Sequence, residues 1–153
     1  MIELNEIDKR ILRLLQKDNK ITNAALSEMI NLSPPACLKR VKQLHESGVI
    51  EKNVAILNPH LFGEGIVIIV EIEMERDRRE MNEKFIKHIN ASPEVTQCYQ
   101  VTGEVDFVLI VNVPNMTMFK DFANRVLYGE SNMRKFKTLI SMTRNKFSTE
   151  IVL

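Results

Sequence analysis

The stretch TGEVDF, Thr102 to Phe107, sets one glycine and two carboxylates, Gly103, Glu104 and Asp106, between two runs that read as strands. Three chemistries come to mind. The acids can form an acid–base pair or part of a metal loop. They can also pair with a ligand's ammonium, while backbone N–H groups around the glycine meet its anionic end. The plain alternative is a turn glycine followed by an aspartate that caps a hairpin. Two carboxylates without neighbouring ligands make a poor metal set, and no nucleophile or base stands near them in the pattern. The histidines His45, His60 and His88 show no HxxxH spacing and read as surface or packing residues, and no phosphate-cradling glycine loop occurs. No catalytic residue, metal or cofactor is expected.

A second group is basic. In SPPACLKRVKQLHESG, Ser33 supplies a short hydroxyl and Ala36 a small side chain, while Lys39, Arg40 and Lys42 supply cations that reach phosphates and guanine edges. A solvated amphipathic helix is the competing reading.

Elements must position these groups. Leu4, Ile7, Ile11, Leu14 and Leu15 recur at helical spacing. Thr22 caps a second helix through Ile30, with Ala25, Leu26, Met29 and Ile30 as its apolar face. Ser33 caps a third, with Pro34 at its first position and Gly48 at its stop. Its inner stripe is Cys37, Val41 and Leu44, so Pro35, Ala36, Lys39, Arg40 and Gln43 face outward. VIEKNVAILNP then reads as a hairpin or wing. The predicted domains are a winged helix-turn-helix over 1–58, a linker over 59–65 and a second domain over 66–153.

That second domain reads β-α-β-β-α-β, the ferredoxin-like split unit with both helices on one face of an antiparallel sheet, so the fold class is α+β. In IVIIVEIEME, Val70, Ile72 and Met74 alternate with Glu71, Glu73 and Glu75, a strand with one wet face. Ile66, Ile68, Val108 and Ile110 are assigned to the sheet face the helices leave open, and covering that face predicts a homodimer.

Charge and composition narrow the classes. The chain has 153 residues, with 21 basic against 20 acidic side chains and a net charge of +1, so DNA binding requires a local patch. Cys37 and Cys98 read as free, buried thiols. Neither an apolar leader core nor a membrane span is visible, which predicts a cytoplasmic protein without a membrane partner.

These segments resemble a known family. LNEIDKRILRLLQKD and ITNAALSEMINLSPPACLKRVKQLHESGVIEK are similar to the DNA-binding domain of the Lrp/AsnC, or feast/famine, transcriptional regulators. ILNPHLFG, VTGEVDFVLIV and VPNMTMF are similar to that family's effector-binding domain, nearest to its leucine-responsive members. The resemblance spans essentially the whole chain. It implies a regulator that binds double-stranded DNA, whose homodimers assemble to tetramers or octamers and which responds to an amino acid. Ser33, Pro35, Ala36, Lys39, Arg40, Lys42 and Gln43 are then the DNA-facing set. Gly103, Glu104 and Asp106 fall at the effector loop between dimers, and Val126, Tyr128, Leu139, Ile140 and Ser141 match effector-site positions. Their mainly apolar character favours leucine or methionine over asparagine, glutamate or lysine.

The chain departs from the family at His45, where an acid is usual, and at the consecutive Pro34 and Pro35, which leaves the operator sequence open. Some proteins similar to this family are sirohaem decarboxylases, which are expected to give up the basic recognition helix; this chain keeps Lys39, Arg40 and Lys42. A metabolite sensor that does not bind DNA is the third reading.

Overall fold

In the computed structural model, residues 3–153 are described apart from Glu64, Asp77 and the side chain of His60. The reading of His60 as a surface or packing residue, the start of the first predicted domain at residues 1–2, and residue 64 of the predicted linker therefore lie outside the described part.

Contacts divide the chain into two units, Leu57–Asn145 and Met1–Ile56 with Lys146–Leu153. By these contacts, residues 146–153 group with the helical unit.

In the helical unit, α1 (Glu6–Lys17), α2 (Asn23–Ile30) and α3 (Pro34–Glu46) each start on a residue suited to a cap. Asn5 accepts from the Asp8 N–H and Thr22 from the Ala25 N–H, which satisfies donors that the first helical turn leaves unpaired. Asn31, in the left-handed conformation, ends α2. Ile11, Leu12, Leu26, Ile30, Cys37 and Leu44 form the core, with Val41 packed against it. On α2, Met29 is exposed. The buried position belongs to Ser27, whose hydroxyl donates to the Ala24 carbonyl at 2.7 Å.

Residues 51–58 form no strand, so the predicted wing hairpin is missing from this unit. A lone two-stranded ribbon is marginal in water, and EKN lacks the glycine that the tightest hairpin turns prefer. Val54 and Ile56 consequently remain exposed.

The other unit begins with a short 3₁₀ turn, Pro59–Phe62, and continues as β1 (Ile66–Met74), α4 (Arg79–Asn90), β2 (Val95–Gln100), β3 (Phe107–Val113), α5 (Met116–Phe122) and β4 (Met133–Ile140). α5 runs on into a π-helical turn, Ala123–Leu127. The sheet order is β2-β3-β1-β4, antiparallel throughout, the ferredoxin-like arrangement expected from the element order.

Strict alternation decides which face each β1 residue takes. Ile68, Val70, Ile72 and Met74 are all buried, together with Phe107, Leu109, Val111, Phe85, Ile89 and Phe122. The assignment of Ile66 and Ile68 to the open face is therefore corrected, because the parity of Val70 and Ile72 carries back to both, and a one-residue slip swaps faces. The half-buried residues of opposite parity are Val67, Ile69, Glu71 and Glu73 on β1 and Val108 and Ile110 on β3.

Candidate nucleic-acid interface and ligand site

α3 is fixed before it can read anything. Asn23 donates to the Pro34 carbonyl at 2.9 Å, tying α2 to the start of α3, and Arg10 of α1 donates to the Met29 carbonyl at 2.6 Å. Arg40 donates to Asp8 at 2.9 Å, with both side chains largely shielded. This corrects the outward placing of Arg40: it lies beside the inner stripe and turns to α1, where a charge-assisted bond outweighs hydration.

The remaining predicted residues do lie on one exposed strip. Pro35, Lys39 and Lys42 fall within one narrow angular band, with Gln43 and the half-buried Ala36 on its flank. Lys42 has Glu46 at 3.5 Å, a solvent-exposed pair worth little. Ser33 makes no side-chain cap bond, so its hydroxyl is not spent on the helix end. With proline at the first two helical positions, two N–H donors that normally make a helix start attractive to phosphate are absent. The polar groups left at this helix start include the Ser33 hydroxyl and, a turn further on, the exposed Lys39. One further exposed side chain stands outside the predicted set. Leu38 is 59% exposed beside Lys39, and its position next to the outward stripe was a signal already readable from helical spacing.

The effector-site candidates divide into two groups. At the Met74 end of the sheet, the Val101 N–H donates to the Asp106 carbonyl at 2.9 Å and closes the TGEVDF loop. The Asp106 N–H donates to Ile72 O at 2.8 Å, and its carboxylate accepts from the Met74 N–H at 2.6 Å. Asp106 is thus half-buried and part of the strand edge, while Glu104 is exposed. Gly103 adopts φ +129°, which L side chains rarely take, yet no atom lies within 4 Å of where a Cβ would stand. Its glycine requirement is conformational, and the space beside it is open.

The π turn serves the same end of the sheet. The Tyr128 N–H donates to the Ala123 carbonyl at 2.9 Å, five residues back, and the widened turn places the Tyr128 ring edge-on to Phe136, centroids 5.2 Å apart. Phe136, Ile72 and Phe107 form one row across β4, β1 and β3. Tyr128 is 72% exposed, whereas Val126 has no exposed surface and belongs to the core.

The other group lies at the opposite end. Leu139 and Ile140 pair with Ile69 and Ile68, and the Ser141 N–H donates to Val67 O at 2.9 Å. Ile140 and Ser141 line an open hollow of about 540 Å³ with Gly65, Ile66, Pro114, Asn115 and Met116. Between the rows of Ile68 and Ile72, β1 advances about 13 Å. A single chain therefore holds the loop acids and the β4 end at opposite ends of its sheet.

Among the described residues, no group of three or more His, Cys, Asp or Glu side chains is placed to hold a metal ion, and no helix is long and apolar enough to cross a membrane. Burial pushes both thiols, Cys37 and Cys98, above the ordinary cysteine range.

Comparison with known proteins finds a separate family model for each part of the chain. A winged helix-turn-helix DNA-binding model matches residues 4–51, and an Lrp/AsnC ligand binding domain model matches residues 67–151. An uncharacterized HTH-type transcriptional regulator of Sinorhizobium fredii is 37% identical over 145 residues, 95% of this chain and 86% of that protein. The leucine-responsive regulatory protein of Escherichia coli is 32% identical over 151 residues, covering 99% of this chain and 92% of that protein. Among solved structures, a transcriptional regulator of Neisseria meningitidis in complex with L-Met is 29% identical and superimposes with a TM-score of 0.89, covering 98% of this chain and 97% of that one. An AsnC family regulator of Agrobacterium tumefaciens, also 29% identical, gives 0.90 over 97% of each chain.

Proposed function

We infer, for a chain that belongs to the Lrp/AsnC family of DNA-binding transcriptional regulators, that its effector is leucine or methionine and that it acts in the cytoplasm as dimers joined into tetramers or octamers. The family is one of regulators and not of enzymes, so the decarboxylase alternative is not favoured.

For DNA, the supporting observation is the exposed strip of Ser33, Pro35, Lys39, Lys42 and Gln43 on a helix held by Asn23 and Asp8. Lys39 and Lys42 contact phosphates, Leu38 meets a thymine methyl, and Arg40 acts by setting the tilt of α3. A dimer presents two such helices to successive major-groove half-sites ~34 Å apart. The test is fluorescence anisotropy on the DNA upstream of the chain's own gene. Replacing both lysines by alanine lowers affinity about tenfold or more and reduces the salt slope by about two. An unchanged slope defeats this assignment, and no binding by the intact protein at low salt favours the sensor without DNA.

For the ligand, the observation is the separation of the two candidate groups. A zwitterion needs a carboxylate for its ammonium and donors for its own carboxylate, with an apolar wall for its side chain. The loop of one chain offers Gly103, Glu104 and Asp106, and the β4 end offers Leu139, Ile140 and Ser141. A neighbouring dimer bringing the second group to the first completes the pocket, with Tyr128 at its edge and Val126 as the packing behind it. The apolar wall supports leucine or methionine, and the Neisseria relative solved with L-Met supports methionine. A thermal-shift screen of all twenty amino acids tests the identity, since a ligand specific to the folded state raises the melting temperature. Asp106→Asn keeps an oxygen for the Met74 N–H and removes the charge, so calorimetry should show leucine and methionine binding at least about tenfold weaker. Unchanged affinity would sink the ammonium role.

A further inference from the structure

Residues 146–153 have no regular secondary structure, yet they pack with the helical unit, and the main chain of Ile151 and Leu153 is bound to α1. Gln16 engages both polar groups of Ile151: its Nε2 donates to the Ile151 carbonyl at 3.1 Å, and its Oε1 accepts from the Ile151 N–H at 2.6 Å. Arg13 donates twice to the main-chain oxygen of Leu153, from Nε at 3.1 Å and Nη2 at 2.6 Å. The Ser148 hydroxyl accepts from the Glu150 N–H at 3.1 Å and shapes the approach.

An amide that meets both the donor and the acceptor of one residue repeats what a neighbouring strand does, and a guanidinium with two donors on one oxygen fixes direction as well as distance. Ile151 and Val152 keep their side chains exposed, so the backbone is what α1 recognises. The same helix holds α3 through Asp8 and Arg40 and α2 through Arg10. On the other side, four residues, 142–145, connect the segment to Ser141, whose N–H is bound to β1 just beyond β4.

We propose that residues 146–153 are a strap that ties the end of β4 to α1, so that the chain joins its two units twice, at 56–57 and at 145–146. A ligand that shifts Leu139–Ser141 pulls on α1 through the strap, and α1 carries the change to α3 through the Asp8–Arg40 pair. The transmission rests on the ligand reading given above; the strap itself does not.

Hydrogen exchange and DNA binding on the full chain test the two parts separately. In the wild type, the Ile151 amide should exchange at least about tenfold more slowly than an unprotected amide, and Gln16→Ala should abolish that protection. In Gln16→Ala with Arg13→Ala, affinity for the upstream duplex without ligand should stay within about threefold of wild type. The change in that affinity on adding L-leucine or L-methionine, about fivefold or more in the wild type, should fall below about twofold. An unprotected strap in the wild type overturns the proposal. A protected strap with an undiminished response in the double variant overturns the transmission. A wild type whose DNA affinity ignores both amino acids defeats the ligand reading, and the transmission with it, and protection of Ile151 in that same protein tells this failure from absence of the strap.

Discussion

The helical unit and the sheet unit solve the problem of building a site in opposite ways. The candidate DNA-facing strip is local: one helix, one period and two clamps from neighbouring helices put Lys39, Lys42 and Gln43 on a common side. The candidate ligand residues are scattered over a loop, a widened helix end and the last strand, and the sheet register holds them at its two ends. A site on one helix is complete as soon as that helix is placed. A site drawn from several strands depends on the register of the whole sheet, and on the proposed reading it also needs a second copy.

The largest effect should come from breaking the sheet unit alone. Phe107 is fully buried and its ring meets Phe85 at 5.0 Å. Phe107→Ala should cost ~3–5 kcal/mol, through lost burial and the cavity left behind. If the units are as separate as their cores, the helical unit should keep its own exchange protection in this variant while the sheet unit loses protection. Joint loss across both cores, measured by hydrogen exchange, would show that the comparison divides something the protein treats as one.

Within the helical unit, the two cations side by side on α3 should separate cleanly. Arg40→Ala removes the partner of a shielded aspartate and should cost about 1–2 kcal/mol in thermal or urea unfolding. Lys39→Ala should leave stability within about 0.5 kcal/mol and act on DNA affinity alone. Equal loss of stability in both would mean that the exposed strip is a packing surface. This contrast marks where helical spacing stops being informative. It marks Cys37 and Leu44 as core and Lys39 and Gln43 as outward, but Arg40 sits at the margin of the two faces. Only the position of Asp8, thirty-two residues earlier, decides which way it turns.

The sheet unit was legible in a different degree. Element order alone yielded its topology, because few arrangements satisfy β-α-β-β-α-β with short connections. Its faces were less secure: Ile66 and Ile68 were assigned to the wrong one, since a continuous apolar run hides the alternation that the glutamates reveal a few residues later. The bond from Met74 to Asp106 was not visible at all, because it joins residues on separate strands whose register spacing alone does not specify. Gly103 is intermediate. Its turn role could be read from the sequence, but its φ of +129° and the open space beside it could not. Gly103→Ala should therefore cost about 1 kcal/mol from backbone strain, with no clash to relieve. A larger loss in calorimetric unfolding would show that the loop packs against something a single chain does not contain.

The smallest effect concerns the face that the two helices leave open. Along β1 this face grades from Val67 and Ile69 to Glu71 and Glu73, and the acids meet β4 cations: Lys137 lies 3.5 Å from Glu71, while Lys135 and Arg134 lie 2.8 and 2.6 Å from Glu73. The Lys135 bond is the main reason the Glu73 carboxyl lies below its ordinary range; burial opposes it, and the charges of Arg134 and Lys135 add to the lowering. A depressed folded-state carboxyl contributes stability that is complete above its unfolded pKa and disappears as pH falls through the folded value. The sheet unit should therefore lose a small increment of stability on acidification below about pH 4.5, and Glu73→Gln should lack that increment while matching the wild type at the acid limit. High salt should shrink the difference if the ladder faces water, because exposed pairs are screened, and should leave it nearly intact if a second copy covers the face. The salt dependence of so small a term thus reports whether the open face is covered by a second copy of the chain.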